Sequence, residues 1–146
     1  VAIREHHCIR IIKVEKSSAS SYNLAMGANE IVQYNKKIEI ILQDGSEIKQ
    51  RRENTYTKKI DYDKINGNLQ IRTRQPGDRI LLKNGSKKLK DFFIDEKIPR
   101  TSRDKVLLIA DECNVIWVIG YRLSEAYYIT KQTKKILQIE INDLLT

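Results

Sequence analysis

The sequence predicts an α+β fold, rich in strands and with one clear helix late in the chain. Three observations carry this. Two tight-turn dipeptides, Asp44-Gly45 and Asn66-Gly67, stand between β-like runs, the pattern expected of hairpins. One stretch after Gly85 has helical spacing, with Leu89, Phe92 and Phe93 at i, i+3 and i+4. Two continuous apolar runs, residues 106–110 and 115–119, flank the polar turn Asp111-Glu-Cys-Asn114 and read as buried strands.

In chain order, residues 8–14 form a β-rich run with partial alternation. Residues 16–28 are Ser-rich and hold Gly27, which predicts a loop or short linker. Residues 37–42 read as a strand, Asp44-Gly45 as its turn and 47–51 as the return. Residues 56–65 alternate loosely up to Asn66-Gly67, and 69–74 read as the partner strand. Pro76-Gly77-Asp78 is a turn, with Pro presetting φ and Gly accepting the positive φ of a type II turn. Ser86 is the expected N-cap of the helix, and Pro99 ends it by disfavouring helical geometry at Ile98. Residues 136–141 alternate as a last strand. A boundary is expected near Asn66-Gly67, between a β-rich linking region (1–66) and an α+β domain (67–146).

The chain has 146 residues, 40% hydrophobic and 32% charged, with a formal net charge of +8. That is enough apolar material for a core, so a disordered basic tail is excluded. From Arg72 to Lys105 there are 11 Lys and Arg against 5 Asp and Glu. Most of the excess charge thus lies in under a quarter of the length, the footprint of a surface that meets a polyanion. Cys8 and Cys113 show neither CxxC spacing nor a disulfide framework, so two ordinary thiols in a reducing, cytoplasmic compartment are expected. No apolar run is long enough for a membrane span and no signal peptide is visible. The chain opens at Val1 in a strand-like segment, so a piece of a longer protein is expected.

The helix from Ser86 would carry Lys87 and Lys88 in its first turn, where cations oppose the helix dipole. Function can justify that placement, because free N–H groups and two ammonium groups together make a phosphate site. Lys90 and Lys97, seven apart, would extend a basic stripe. The plainer reading is a solvated face opposite the apolar one. Arg72 and Arg74 would share one face of a strand, with Arg79 just beyond the turn, and could grip successive phosphates; salt-bridged surface arginines are the alternative. Arg100 and Arg103 share a face if they lie on a helical turn. Phe92, Phe93 and Trp117 read as core. His6 and Cys8 could share a metal if they lie on a strand, but no further ligands cluster near them, which argues against a metal site. Asp78 with Asp95-Glu96-Lys97 loosely mimics a metal-dependent nuclease, yet carboxylates at a helix end are poorly placed for it. No Gly-rich phosphate loop, GxSxG elbow or paired nucleophile and base is present.

The order Arg72-Thr-Arg74-Gln-Pro-Gly-Asp-Arg79, then Lys87-Lys-Leu-Lys-Asp-Phe-Phe-Ile-Asp-Glu-Lys-Ile-Pro-Arg100, Arg103-Asp104, Ile116-Trp-Val-Ile-Gly-Tyr-Arg122 and Ser124-Glu125 resembles the C-terminal domain of bacterial tRNA(Ile)-lysidine synthetases. The match runs unbroken over residues 69–131; residues 1–64 are similar only to the less regular region before that domain. The resemblance implies a domain containing a β-sandwich, similar to one in the β subunit of phenylalanyl-tRNA synthetase. It also implies a non-catalytic part of an ATP-dependent ligase that converts wobble cytidine to lysidine in the CAU-anticodon isoleucine tRNA. The S-G-G-x-D-S loop of the catalytic domain is absent here, so ATP and Mg²⁺ are expected only in that missing N-terminal domain and this chain is expected to be inactive alone. The implied partners are the acceptor stem and body of the tRNA, the enzyme's own catalytic domain and a possible second copy, with no membrane.

Charge and resemblance together nominate Arg72, Arg74, Arg79, Lys87, Lys88, Lys90, Lys97, Arg100 and Arg103 as tRNA-binding, with no catalytic or metal residues. The competing expectation is a docking module that packs on the catalytic domain and does not bind RNA independently.

Overall fold

The structure, a computed structural model, describes residues 21–45 and 56–144. They build eleven strands, two short helices and three 3-10 turns, so the architecture is mostly β. One antiparallel sheet has the order β1 (Ser21–Leu24), β5 (Leu69–Arg72), β8 (Leu108–Ala110), β9 (Val115–Val118), β10 (Arg122–Leu123). A second has the order β2 (Gly27–Ile31), β3 (Lys36–Asp44), β11 (Lys135–Asp143), β4 (Thr57–Asp61). A separate hairpin pairs β6 (Arg79–Leu82) with β7 (Gly85–Lys88) and leads into α1 (Leu89–Asp95) and α2 (Arg100–Arg103).

Two cores divide the burial. Ile38, Ile40, Ile60, Leu137 and Ile139 from the second sheet meet Ile71, Ile109, Trp117 and Leu123 from the first. On the other face of the first sheet, Leu108, Val115 and Val118 pack with Ile80 of the hairpin and with Leu89, Phe92, Phe93 and Ile98. Strands β8 and β9 therefore lie between two apolar layers, which is why their sequences run apolar without alternation. The register between them slips at Ile109/Ala110. This bulge gives Ile116 no cross-strand partner and turns both Ile116 and Trp117 toward the inter-sheet core.

Several sequence expectations are met. The strands at 37–42, 69–74, 106–110, 115–119 and 136–141 form, lengthened or trimmed by a few residues. Phe92, Phe93 and Trp117 are buried. Gly77 has φ +88 and the Asp78 N–H donates to the Gln75 carbonyl at 3.2 Å, as a type II turn requires. Others are corrected. Residues 21–24, expected in a loop, form β1 against β5. Asn66-Gly67 does not close a hairpin: β4 pairs with β11 while β5 pairs with β1 and β8, so the chain crosses between sheets there. The turn signal was real, because Gly67 has φ +83, but the strands on either side needed different partners to bury their apolar faces. The same pairings join residues on both sides of the expected 66/67 boundary, since β3 and β4 both flank β11. Residues 8–14, the return strand 47–51 and the His6 and Cys8 candidates lie outside the described residues.

The crossover is pinned by Asp111. Its carboxylate accepts from the Asn66 N–H (2.8 Å), the Cys113 and Asn114 N–H groups (2.8 and 2.9 Å) and the Tyr127 hydroxyl (2.7 Å). The next residue, Glu112, accepts from the Asn68 N–H at 3.0 Å. Burial, followed by the charge and hydrogen bond of Asp111, holds the Tyr127 hydroxyl well above its ordinary pKa of 10.0. The folded state thus favours protonated Tyr127. Its stabilisation is whole below pH 10 and drains away as pH rises toward the folded value. Tyr127→Phe is expected to cost about 2 kcal/mol at neutral pH. In urea unfolding at stepped pH, the gap between wild type and variant should close above pH 10; a pH-independent gap would contradict this account.

Candidate nucleic-acid interface

Arg72 and Asp78 set up the site from beneath. The Arg72 guanidinium donates Nη1–H to Asp78 Oδ2 at 2.9 Å and Nη2–H to Oδ1 at 3.0 Å, with both side chains 1% exposed. Asp78 Oδ2 also accepts from the Gln75 N–H (2.7 Å), and the Asp78 carbonyl accepts from the Leu89 N–H (2.9 Å). One residue thereby fixes the end of β5, the entry to β6 and the start of α1. Arg72 is consequently not on the exposed surface. The expectation that Arg72 and Arg74 share a phosphate-gripping face is corrected, because β5 ends at Arg72 and the fork is consumed by Asp78.

The helix also starts later than expected. Ser86, Lys87 and Lys88 belong to β7, and α1 begins at Leu89 with Lys88 as an N-cap that makes no side-chain cap bond. Lys87 and Lys88 are therefore strand residues, not first-turn residues facing free N–H groups, and the helix-terminus phosphate site falls away. Pairing with β6 outweighed the weak capping preference of Ser86. In its place the hairpin sets Arg79 directly opposite Lys88 and Ile80 opposite Lys87. Ile80 is buried, so Arg79 and Lys88 share the outer face. Like charges opposite each other in an antiparallel pair are destabilising, a cost that an anion bound over them would remove. Arg79 Nε–H donates to Ser86 Oγ at 2.8 Å, which aims the guanidinium across the strand pair. Arg79, Ser86, Lys87, Lys88 and Asp91 line an open depression of about 290 Å³ at this hairpin.

The remaining cations differ in availability. Lys87 pairs with Asp95, and Arg74 donates Nε–H to Asp104 at 2.9 Å while lying over the Phe93 ring, 5.6 Å from its centroid. Arg103 donates to the Ile98 carbonyl at 2.8 Å. Arg100 and Arg103 both lie on α2, so they share a turn as the spacing allowed. Lys88, Lys90, Lys97 and Arg100 are exposed and have no ion-pair partner among the described residues. Lys97 is not on the helix: it has φ +58 and sits at the αL position of a Schellman cap, with Lys97 N–H to the Ile94 carbonyl (2.9 Å) and Ile98 N–H to the Phe93 carbonyl (3.0 Å). A non-glycine residue there costs about 1 kcal/mol. Lys97→Gly is expected to raise stability by about that amount in thermal melts while removing one exposed charge; lowered stability would mean the lysine chain packs usefully.

Among the described residues no group of three His, Cys, Asp or Glu side chains could hold a metal. The nuclease pattern does not assemble, because Asp78 is given to Arg72 and Asp95 to Lys87. No helix among the described residues is long and apolar enough to cross a membrane. The exposed tyrosines Tyr121 and Tyr128 line a second depression with Lys58 and Arg122; they are not among the residues nominated from sequence, because neither lies in the basic stretch from Arg72 to Lys105.

Residues 69–141 match the family model described as the TilS substrate C-terminal domain. The tRNA(Ile)-lysidine synthase of Caldanaerobacter subterraneus subsp. tengcongensis is 44% identical over 71% of this chain and 23% of its own length. That of Clostridium tetani is 44% identical over 77% of this chain and 25% of its own length, and that of Clostridium acetobutylicum 37% over 92% and 30%. The chain thus spans about a quarter to a third of these relatives. A crystal structure of a TilS C-terminal domain superimposes with a TM-score of 0.68 at 23% identity, covering 86% of this chain and 99% of the other, which shows a shared fold. The chain belongs to the TilS substrate C-terminal domain family.

Proposed function

We propose that this chain is the tRNA-binding, non-catalytic region of a tRNA(Ile)-lysidine synthase, and that it grips the acceptor stem and body of the isoleucine tRNA while a separate catalytic domain modifies the anticodon. The observation that carries this is the outer face of the β6–β7 hairpin, where Arg79 and Lys88 are held in register beside Lys90, which has no ion-pair partner among the described residues. Lys97 and Arg100 follow in the next turns. Arg74, Lys87 and Arg103 are already engaged by the protein and contribute field more than contacts. Arg72 acts only by holding the hairpin. Such a surface suits phosphates of an A-form stem, whose deep groove keeps side chains from the base edges; it supplies affinity and register more than sequence discrimination.

On this reading ATP and Mg²⁺ bind only the catalytic domain, the protein works in the cytoplasm, and a homodimer is compatible with the fold. The two sheets sharing one core support the expected β-sandwich, and the likeness to a domain of the phenylalanyl-tRNA synthetase β subunit rests on the resemblance alone. The test is a fluorescence-anisotropy titration of the chain with the CAU-anticodon isoleucine tRNA, an elongator methionine tRNA and an acceptor-stem hairpin at two salt concentrations. Salt-sensitive binding that extends to the hairpin is expected. Absence of binding at low salt, together with capture of the catalytic domain, would establish the docking-module reading instead.

A further inference from the structure

We propose that the depression bounded by Tyr121, Tyr128, Arg122 and Lys58 is a stacking site for an unpaired nucleotide of the RNA. The inference rests on the RNA-binding reading above and adds a second, chemically different contact to it.

The site lies where two sheet edges meet. Strand β4 is the last strand of one sheet and β10 the last of the other; Lys58 and Lys59 come from the first, and Arg122 and Leu123 from the second. Between them is an open depression of about 350 Å³ with Tyr121, Tyr128 and Ile129 in its wall. Tyr121 and Tyr128 are 50% and 39% exposed, two of the large hydrophobic side chains the described residues leave to solvent. Single exposed aromatics are ordinary. Two around one depression with two cations are the combination that single-stranded nucleic acid uses, because a base offers a π-face to stack and a phosphate to pair.

Both rings are presented by fixed backbone. Tyr121 ends a turn in which Gly120 has φ +90 and the Tyr121 N–H donates to the Val118 carbonyl at 2.8 Å, so little ordering remains to oppose binding. Tyr128 follows a 3-10 turn capped by Ser124, whose Oγ also accepts from the Leu81 N–H at 3.3 Å. Leu81 belongs to the basic hairpin, so the two surfaces are joined through one hydrogen bond. Arg122 is 43% exposed at its side chain and only loosely paired, 4.0 Å from Glu125, which leaves its guanidinium available to a phosphate. The net positive lining favours an anionic occupant over a neutral peptide, and the two rings favour a nucleotide over an acidic peptide, whose carboxylates bring no π-face to stack.

The test compares a blunt RNA hairpin with the same hairpin carrying a four-adenine 3′ overhang that contains one 2-aminopurine. Wild type is expected to bind the overhang RNA about tenfold more tightly and to quench the 2-aminopurine. Tyr121→Ala/Tyr128→Ala should lose that advantage with unchanged blunt-hairpin affinity, whereas Tyr121→Phe/Tyr128→Phe keeps it, because stacking needs the ring and not the hydroxyl. Equal wild-type affinity for the two RNAs without quenching overturns the tyrosine site and leaves the basic face standing. So does an advantage that survives in the alanine variant. Failure of wild type to bind either RNA removes the RNA-binding reading and this site with it.

Discussion

Arg72→Ala is expected to lower the unfolding free energy by about 3–5 kcal/mol, because it strands the Asp78 carboxylate in a site with almost no solvent. The loss should exceed that of any exposed arginine. Arg79→Ala, by comparison, is expected to stay within about 0.5 kcal/mol. Lysine is a poor substitute at position 72, since one ammonium cannot satisfy two oxygens in the plane that the guanidinium fork spans. Part of the damage will be local. Asp78 also takes the Gln75 N–H and gives its carbonyl to Leu89, so the β6–β7 hairpin loses its footing along with the ion pair. Urea denaturation checks this directly. A cost under about 1 kcal/mol would mean that water reaches the carboxylate and that the pair is not a structural anchor.

Arg79→Glu/Lys88→Glu is expected to have the largest effect on RNA binding. Reversing two facing cations should weaken affinity for tRNA about ten- to hundredfold at low salt and reduce the magnitude of the log–log salt slope by about 2. Both side chains are on an outer face, so melting temperature should barely change. Lys87→Glu should do less than Lys88→Glu, because Asp95 already neutralises Lys87. Anisotropy at 50, 100 and 200 mM salt separates the cases. An unchanged slope in the double variant would place the phosphate contacts elsewhere.

The residues that carry the strongest local signals were legible. Apolar runs marked β8 and β9, the i, i+3, i+4 pattern found the buried face of α1, and Pro76-Gly77 gave the turn. The location of the basic surface was also legible, since charge segregation is a property of sequence. What could not be read was which cations face out. Arg72 and Arg79 look equivalent along the chain, yet Asp78 takes one inward and leaves the other on the surface; that choice depends on a hairpin folding over the outer face of a sheet. Likewise nothing local tells Ser86 that β6 lies alongside it, so a plausible cap became a strand residue. Asn66-Gly67 announced a turn truthfully but could not say that its two arms would enter different sheets.

Strand β11 lies between β3 and β4 and pairs with β3 over nine residues, and its end reaches back to Lys36 from Asp143, 107 positions away. The ribosome delivers that strand after the other three of its sheet, β2, β3 and β4. Until it emerges, β3 and β4 lack their shared neighbour and expose two adhesive edges. Folding of this sheet must therefore be a late, long-range event, slow in the manner of high-contact-order proteins. Trimming the chain before residue 135 would do more than shorten a tail, because it would leave the nascent product without the strand that closes it.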